Sequence, residues 1–263
     1  MAAKGHRLGN LSARCQNIFE KSNYMSYCYE YPRPALTVDC VIFGLDAGSV
    51  LKVLLIQRAN EPYLGYWALP GGFVGIDEDL EAAALRELEE ETGVRDVYIE
   101  QFHTFGRPDR DPRGRVVSVA HYALVNLEDH PVHPSSDARC VQWFEIDQLP
   151  PLAFDHDEIM VVAIECLRQK VRHEPVVFEL LPAVFTLTQL QQIYEKVMGV
   201  QEGFNKRNFR SRILKTGLLK EVGKQEGVAH RPAKLYSFDK VAWERMRRKD
   251  TLGALRKAVD FDI

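Results

Sequence analysis

The chain has 263 residues, 46% of them apolar and 27% charged, which suits one large domain or two ordinary ones around a core of normal size. Its 34 Lys and Arg against 37 Asp and Glu leave a net charge of −3, but Phe185 to Lys257 carries 17 basic against 7 acidic residues, so the excess acid lies in the preceding part. No apolar run approaches the roughly 18 residues that a membrane span needs, and the N-terminus lacks the apolar stretch of a secretory signal. The cysteines, Cys15, Cys28, Cys40, Cys140 and Cys166, are odd in number and form no CxxC pair, which points to free thiols in a reducing, cytoplasmic compartment.

In chain order, residues 1–24 are polar, somewhat basic and without pattern, and read as a disordered arm or an over-long start ahead of Met25; a presequence is the alternative. Ala35 to Leu45 and Val50 to Arg58 read as strands joined by a turn with Asp46, Gly48 and Ser49. Cys40 falls inside the first, where it acts as a small core residue. Leu69-Pro70-Gly71-Gly72 marks a sharp loop. A helix over Leu80 to Thr92 closes at Gly93. Strands follow over Val97 to Thr104, Arg115 to Asn126 and Cys140 to Ile146, then a helix over Asp157 to Val171 with Ile159, Val162, Ala163, Cys166 and Leu167 on one side.

Beyond Arg172 to Pro182 the pattern changes. Thr186 and Gln189 fit a capping box opening a helix whose apolar stripe is Leu187, Leu190, Ile193, Tyr194 and Val197, ended by Gly199. A second helix, Lys206 to Thr216, has Asn205 as its cap and Gly217 as its stop. Two short strands, Leu218 to Val222 and Ala233 to Phe238, flank a polar loop, so the outline is helix, helix, β-hairpin: a winged helix.

Within the Leu80 to Thr92 helix, Glu87, Glu90 and Glu91 fall inside one arc of roughly 100°. Three carboxylates there repel one another, and a hard divalent cation would relieve the repulsion. Arg86 can pair with a neighbouring carboxylate and fix its orientation, and the Gly71-Gly72 turn lets backbone approach an ion or its phosphates closely. From Gly72 through Glu78, Arg86, Glu87, Leu88, Glu90, Glu91 and Gly93 to Val94, the segment resembles the Nudix hydrolase signature GX5EX7REUXEEXGU at all its defined positions. The resemblance implies an α/β/α sandwich. It also implies Mg²⁺ or Mn²⁺ held by Glu87, Glu90 and Glu91, with the carbonyl of Gly71, and water attack on a pyrophosphate phosphorus. The general base stays open among Glu87, Glu90 and Asp137.

For the substrate, Arg107, Arg110, Arg113 and Arg115 lie among turn residues between two strands, and Arg58 ends the second strand; guanidinium groups suit phosphate. Trp67 could stack on a base or pack, and Gly72 could approach the ligand. Pro108 resembles the ADP-ribose-cleaving branch of the Nudix enzymes, and a related dinucleotide is the alternative.

The segments FTLTQLQQIYE and NKRNFRSRIL resemble the Nudix-related transcriptional regulators of bacterial NAD metabolism, in which a Nudix-like domain senses ADP-ribose and a winged helix binds operator DNA as a dimer. On the second helix Phe209 and Ile213 share the core face. Arg207, Ser211 and Lys215 lie opposite, with Asn208 alongside, placed to enter a major groove. Lys206, Arg210 and Arg212 flank it toward phosphates, and Lys224, His230 and Arg231 belong to the wing. The resemblance departs at one point: many such regulators have a degraded Nudix box, and here it is intact. The expected layout is therefore an α/β Nudix sandwich followed by a winged helix-turn-helix. It comprises an N-terminal arm 1–33, a Nudix domain 34–171, a linker 172–184 and a DNA-binding domain 185–257, in a homodimer. Its readings are a hydrolase fused to a DNA reader, a non-catalytic sensor of ADP-ribose, or an enzyme whose C-terminal module only dimerises. His130 and His133 lack a carboxylate at zinc-site spacing. His156 reads as a cap or packing residue.

Overall fold

The computed structural model describes residues 30–46, 50–127, 130, 138–200, 202–227 and 231–248, and Pro34 opens the compact unit that holds every element below. Gly48, Ser49, His133, Asp137, His230, Cys15, Cys28 and most of the N-terminal arm lie outside the described residues.

The central strand is β1 (Ala35–Leu45). It pairs antiparallel with β2 (Leu51–Arg58) and parallel with β6 (Val116–Asn126), from Ala35 opposite Val116 to Leu45 opposite Asn126. Such a strand is covered on both faces, and period-2 alternation divides its side chains between two cores. Val38, Cys40 and Ile42 join the core under helix α1 (Leu80–Thr92), with Ala83, Ala84 and Leu88. Val41, Phe43 and Leu45 join the core under helix α2 (His156–His173), with Ile159, Met160, Ala163 and Leu167. Two short strands, β3 (Trp67–Ala68) on β2 and β4 (Gly71–Phe73) on β1, lie ahead of α1. β5 (Ile99–Phe105) lies beyond β6, and β7 (Ala138–Glu145) pairs with β2, which completes a seven-stranded sheet between two helices. The free cysteines among the described residues are Cys40, Cys140 and Cys166.

Helix α2 is longer at both ends than the predicted Asp157 to Val171. Its start is fixed by a bond to the His156 ring, and its last turn carries Lys170, Arg172 and His173, which suit the negative end of a helix. Residues 172–184 are not an exposed tether. They finish α2 and form a 3-10 turn, Val176–Leu180, with Val177, Phe178, Leu180 and Leu181 buried, because an apolar stretch gains by leaving water.

A three-stranded sheet follows, β8 (Phe185–Thr186), β10 (Lys234–Phe238) and β9 (Leu219–Lys224) in that spatial order. Helix α3 (Leu187–Met198) opens on the Thr186–Gln189 capping box and ends at Gly199, whose φ of 68° favours glycine. In helix α4 (Lys206–Lys215) the Asn205 side chain accepts from the N–H of Arg207 and Asn208. A final helix, α5 (Lys240–Arg248), lays Trp243 and Met246 on the core. This is the helix, helix and hairpin order expected, with β8 and α5 added. A single core runs from β1 and β2 through Leu167 and Val171 of α2 to Leu190, Ile193, Tyr194, Phe209 and Ile213. At this junction Arg168 Nε donates to the Val197 carbonyl at 3.1 Å.

Candidate functional site

Burial of Ala83, Ala84 and Leu88 sets the rotation of α1 and turns Glu87 and Glu91 toward β4. The helix is capped by Asp79, which accepts from the Glu81 N–H, and closed by Gly93 at φ 76°. Glu91 Oε2 accepts from the Gly71 N–H at 2.8 Å. A Cβ on Gly72 would lie 2.4 Å from Glu87 Oε1, and one on Gly71 would lie 2.2 Å from the Val38 carbonyl, so both positions require glycine for close approach. Arg86 ties the preceding loop to the helix. It forks onto Glu78 at 2.6 and 2.8 Å, donates to Glu87 at 2.7 Å and Glu90 at 3.1 Å, and reaches the Phe73 carbonyl at 3.1 Å.

These contacts set the protonation of the site. The Arg86 fork, helped by the Gly75 N–H, holds Glu78 at about 2. Burial raises Glu87 above its usual range, against the pull of Arg86. Glu91 is pushed up to about 8, by burial first and by the charge of Glu87, despite the Gly71 N–H.

Glu87 and Glu91 form one wall of a cleft of about 390 Å³, a size that suits a small-molecule ligand. Arg58 and Arg113 line the same cleft. Arg58 sits 4.7 Å over the Phe154 ring and donates to the Pro62 carbonyl; burial and the nearby Arg113 lower its pKa. Arg113 forks onto Asp111 and lies 5.2 Å from the centre of Phe73 and 5.4 Å from that of Phe154.

The other predicted substrate contacts are placed differently. Arg110 lines the cleft, but its side chain is only 4% exposed and is held by Asp155 at 2.7 and 2.9 Å and by Asp39 at 3.2 Å. It is a strut, because a buried guanidinium needs fixed carboxylates. Arg107 turns to Glu158 at 2.6 Å, and Arg115 to the carbonyls of Arg107 and Val116; neither lines the cleft. Trp67 packs edge-on against Phe144 at 4.7 Å, away from it. Glu90 is 60% exposed and turned to Arg86, also outside the cleft.

Sequence reasoning missed a buried polar network beneath the site. Asp39 accepts from Ser118 Oγ at 2.5 Å and from Arg110, and it stands 3.6 Å from His156 Nε2. His156 Nδ1 accepts from the Leu69 N–H at 2.9 Å, which places the ring proton on Nε2, and burial lowers its pKa. The available signal was Asp39 itself, a lone charge inside an apolar strand, which must find partners when buried.

Among the described residues no three Asp, Glu, His or Cys side chains form a ready-made metal-ligand set. In kind the donors fit a hard divalent cation: two carboxylates burdened by burial and mutual repulsion converge beside the Gly71 turn. Adding Glu90 requires it to leave Arg86.

In the second region, Lys206, Arg207, Asn208, Arg210, Ser211 and Lys215 are exposed on α4, while Phe209 and Ile213 enter the core; Arg212 is half-buried. Arg210 reaches Thr188 Oγ1 at 3.5 Å. Lys224 and Arg231 are exposed around the β9–β10 hairpin.

A mixed sheet between two helices, with this loop and acidic helix, defines a Nudix domain, and the NUDIX domain model matches residues 33–162. The model of the NrtR DNA-binding winged helix domain matches residues 177–238. The chain is 40% identical over 213 residues to the ADPR responsive transcriptional repressor NtrR of Acinetobacter baylyi, covering 80% of this chain and 84% of that one. The crystal structure of Shewanella oneidensis NrtR complexed with a 27mer DNA is similar at 38% identity and a TM-score of 0.69, over 80% of this chain and 95% of that one. The Nudix part alone is 38% identical to an ADP-ribose pyrophosphatase of Methanocaldococcus jannaschii, over 55% of this chain and 81% of that one. The chain belongs to the NrtR family, in which a Nudix domain is joined to a DNA-binding winged helix.

Proposed function

We propose that this protein binds ADP-ribose or a related dinucleotide with Mg²⁺ or Mn²⁺ in the Glu87–Glu91 cleft, cleaves it to AMP and ribose 5-phosphate, and reads operator DNA as a homodimer through α4 and the wing. The observation that carries the first part is the cleft itself, lined together by two proton-hungry carboxylates and by Arg58 and Arg113. When bound, the cation supplies phosphate charge neutralisation and acidifies the attacking water. Arg58 and Arg113 hold the diphosphate, and Phe73 and Phe154 flank the attached groups. The water oxygen bonds to one phosphorus as the bond from that phosphorus to the bridging oxygen breaks. The water proton passes to Glu87, which faces the cleft; Glu90 is the alternative acceptor once released by Arg86.

The basic module is supported by the exposed Arg207, Ser211 and Lys215 on α4 and by the relative seen with DNA. A second reading, sensing without turnover, is favoured by the Glu90–Arg86 pairing and by the repressor among the relatives. Incubation with ADP-ribose and Mg²⁺ separates the two. Turnover predicts AMP release that Glu87→Gln lowers by about 10²–10⁴-fold. A chain that binds ADP-ribose but releases no AMP is a sensor alone.

A further inference from the structure

The turn that carries the glycines of the site is short, and three of its backbone groups are anchored from three different elements. The Leu69 N–H goes to His156 Nδ1 of α2 at 2.9 Å, the Pro70 carbonyl accepts from the Cys40 N–H of β1 at 2.8 Å, and the Gly71 N–H goes to Glu91 of α1 at 2.8 Å. Proline has no N–H of its own, and Leu69 is only 2% exposed, so without the imidazole the Leu69 N–H would be buried and unsatisfied. The ring is fixed in turn. Its Nε2 faces Asp39 Oδ1 at 3.6 Å, Phe154 lies 5.4 Å from it, and Asp39 is held by Ser118 and Arg110.

We infer that His156, oriented by Asp39, is a positioning residue: it sets the Leu69–Gly72 turn against Glu87 and Glu91 and thereby sets the affinity of the cleft for a divalent cation. The inference rests on the metal reading above. It concerns a residue outside the Nudix signature, brought in from the opposite face of the sheet. Groups that orient metal ligands without touching the metal typically change affinity by about 10–100-fold when removed.

The two amide substitutions separate this role from simple packing. The amide of asparagine places an acceptor where Nδ1 stands, and that of glutamine reaches the place of Nε2. Mn²⁺ binding to the full chain is followed by loss of the free-ion EPR signal, and hydrogen exchange over residues 67–73 is followed without metal. The expected result is at least about 10-fold weaker Mn²⁺ binding and faster exchange in His156→Leu and His156→Gln, with both restored to within about 3-fold of wild type in His156→Asn. Equal behaviour of the asparagine and glutamine variants, or unchanged exchange over 67–73 in His156→Leu, overturns the inference. A wild-type chain that takes up no Mn²⁺ overturns the metal reading itself, and the positioning role with it; a wild-type chain that takes it up, with His156→Leu binding it equally well, overturns the positioning role alone.

Discussion

Around the cleft, charge is tied up inside the protein. Arg86 holds three carboxylates, Arg110 holds two, and Arg113 forks onto Asp111. On α4 the reverse holds: among the described residues, Lys206, Arg207 and Lys215 have no carboxylate within ion-pair distance, and neither does Lys224 at the end of β9, although Lys220 and Lys234 of the hairpin pair with Asp239 and Glu221. The contrast separates two ways of meeting an anion. Paired and buried groups are pre-organised, so a small ligand meets fixed geometry and orders little. Exposed cations on one helix face give a polyanion many weak contacts and a steep dependence on salt.

The largest test of this contrast removes a partner from each side. Arg110→Leu leaves Asp39 and Asp155 buried without their counter-charge and is expected to cost about 3–5 kcal/mol in urea unfolding, whereas Arg207→Ala is expected to stay within about 0.5 kcal/mol. Equal losses would erase the distinction.

A second test uses pH. Glu91 ordinarily titrates at 4.5 and is raised to about 8 in the folded chain, so the folded state holds this proton more tightly than the unfolded one. Its contribution to stability is complete below about 4.5 and is lost as pH rises through about 8. A divalent cation competes for the same carboxylate, so the rise in Tm on adding Mg²⁺ should grow across that window. In Glu91→Gln the growth should disappear; its persistence would place the cation elsewhere.

The smallest effect concerns salt. If Arg207 and Lys215 contact phosphates, each alanine substitution should flatten the slope of log K against log salt by about 0.9 on operator and random DNA alike. An unchanged slope would remove that residue from the backbone contacts.

The long elements were readable because their signals are local. β1 is an unbroken apolar run, α1 is closed by Gly93, and α3 and α4 carry their own caps. β3, β4 and β8 have two or three residues and so no period to read. α5, KVAWERMRR, is dominated by charge and touches the core mainly through Ala242, Trp243 and Met246. In the site, Glu87, Glu90 and Glu91 were visible as one spaced motif. Asp39, Asp155 and His156 were not, since their partners lie 45 to 87 residues away and only folding brings them together. The same limit explains the arginines: four in one loop looked alike, and burial alone made a strut of Arg110 and turned Arg107 outward.

Helix α2 begins at the cleft and ends in the core it shares with α3 and α4, so the nucleotide half and the DNA half stand or fall together. A ligand at a hundred times its dissociation constant adds about 2.7 kcal/mol to the folded state it binds. With one core that gain does not stop at the domain border. The supply of nucleotide thus becomes a term in how long the DNA reader survives unfolding and proteolysis, apart from any change in how it grips DNA.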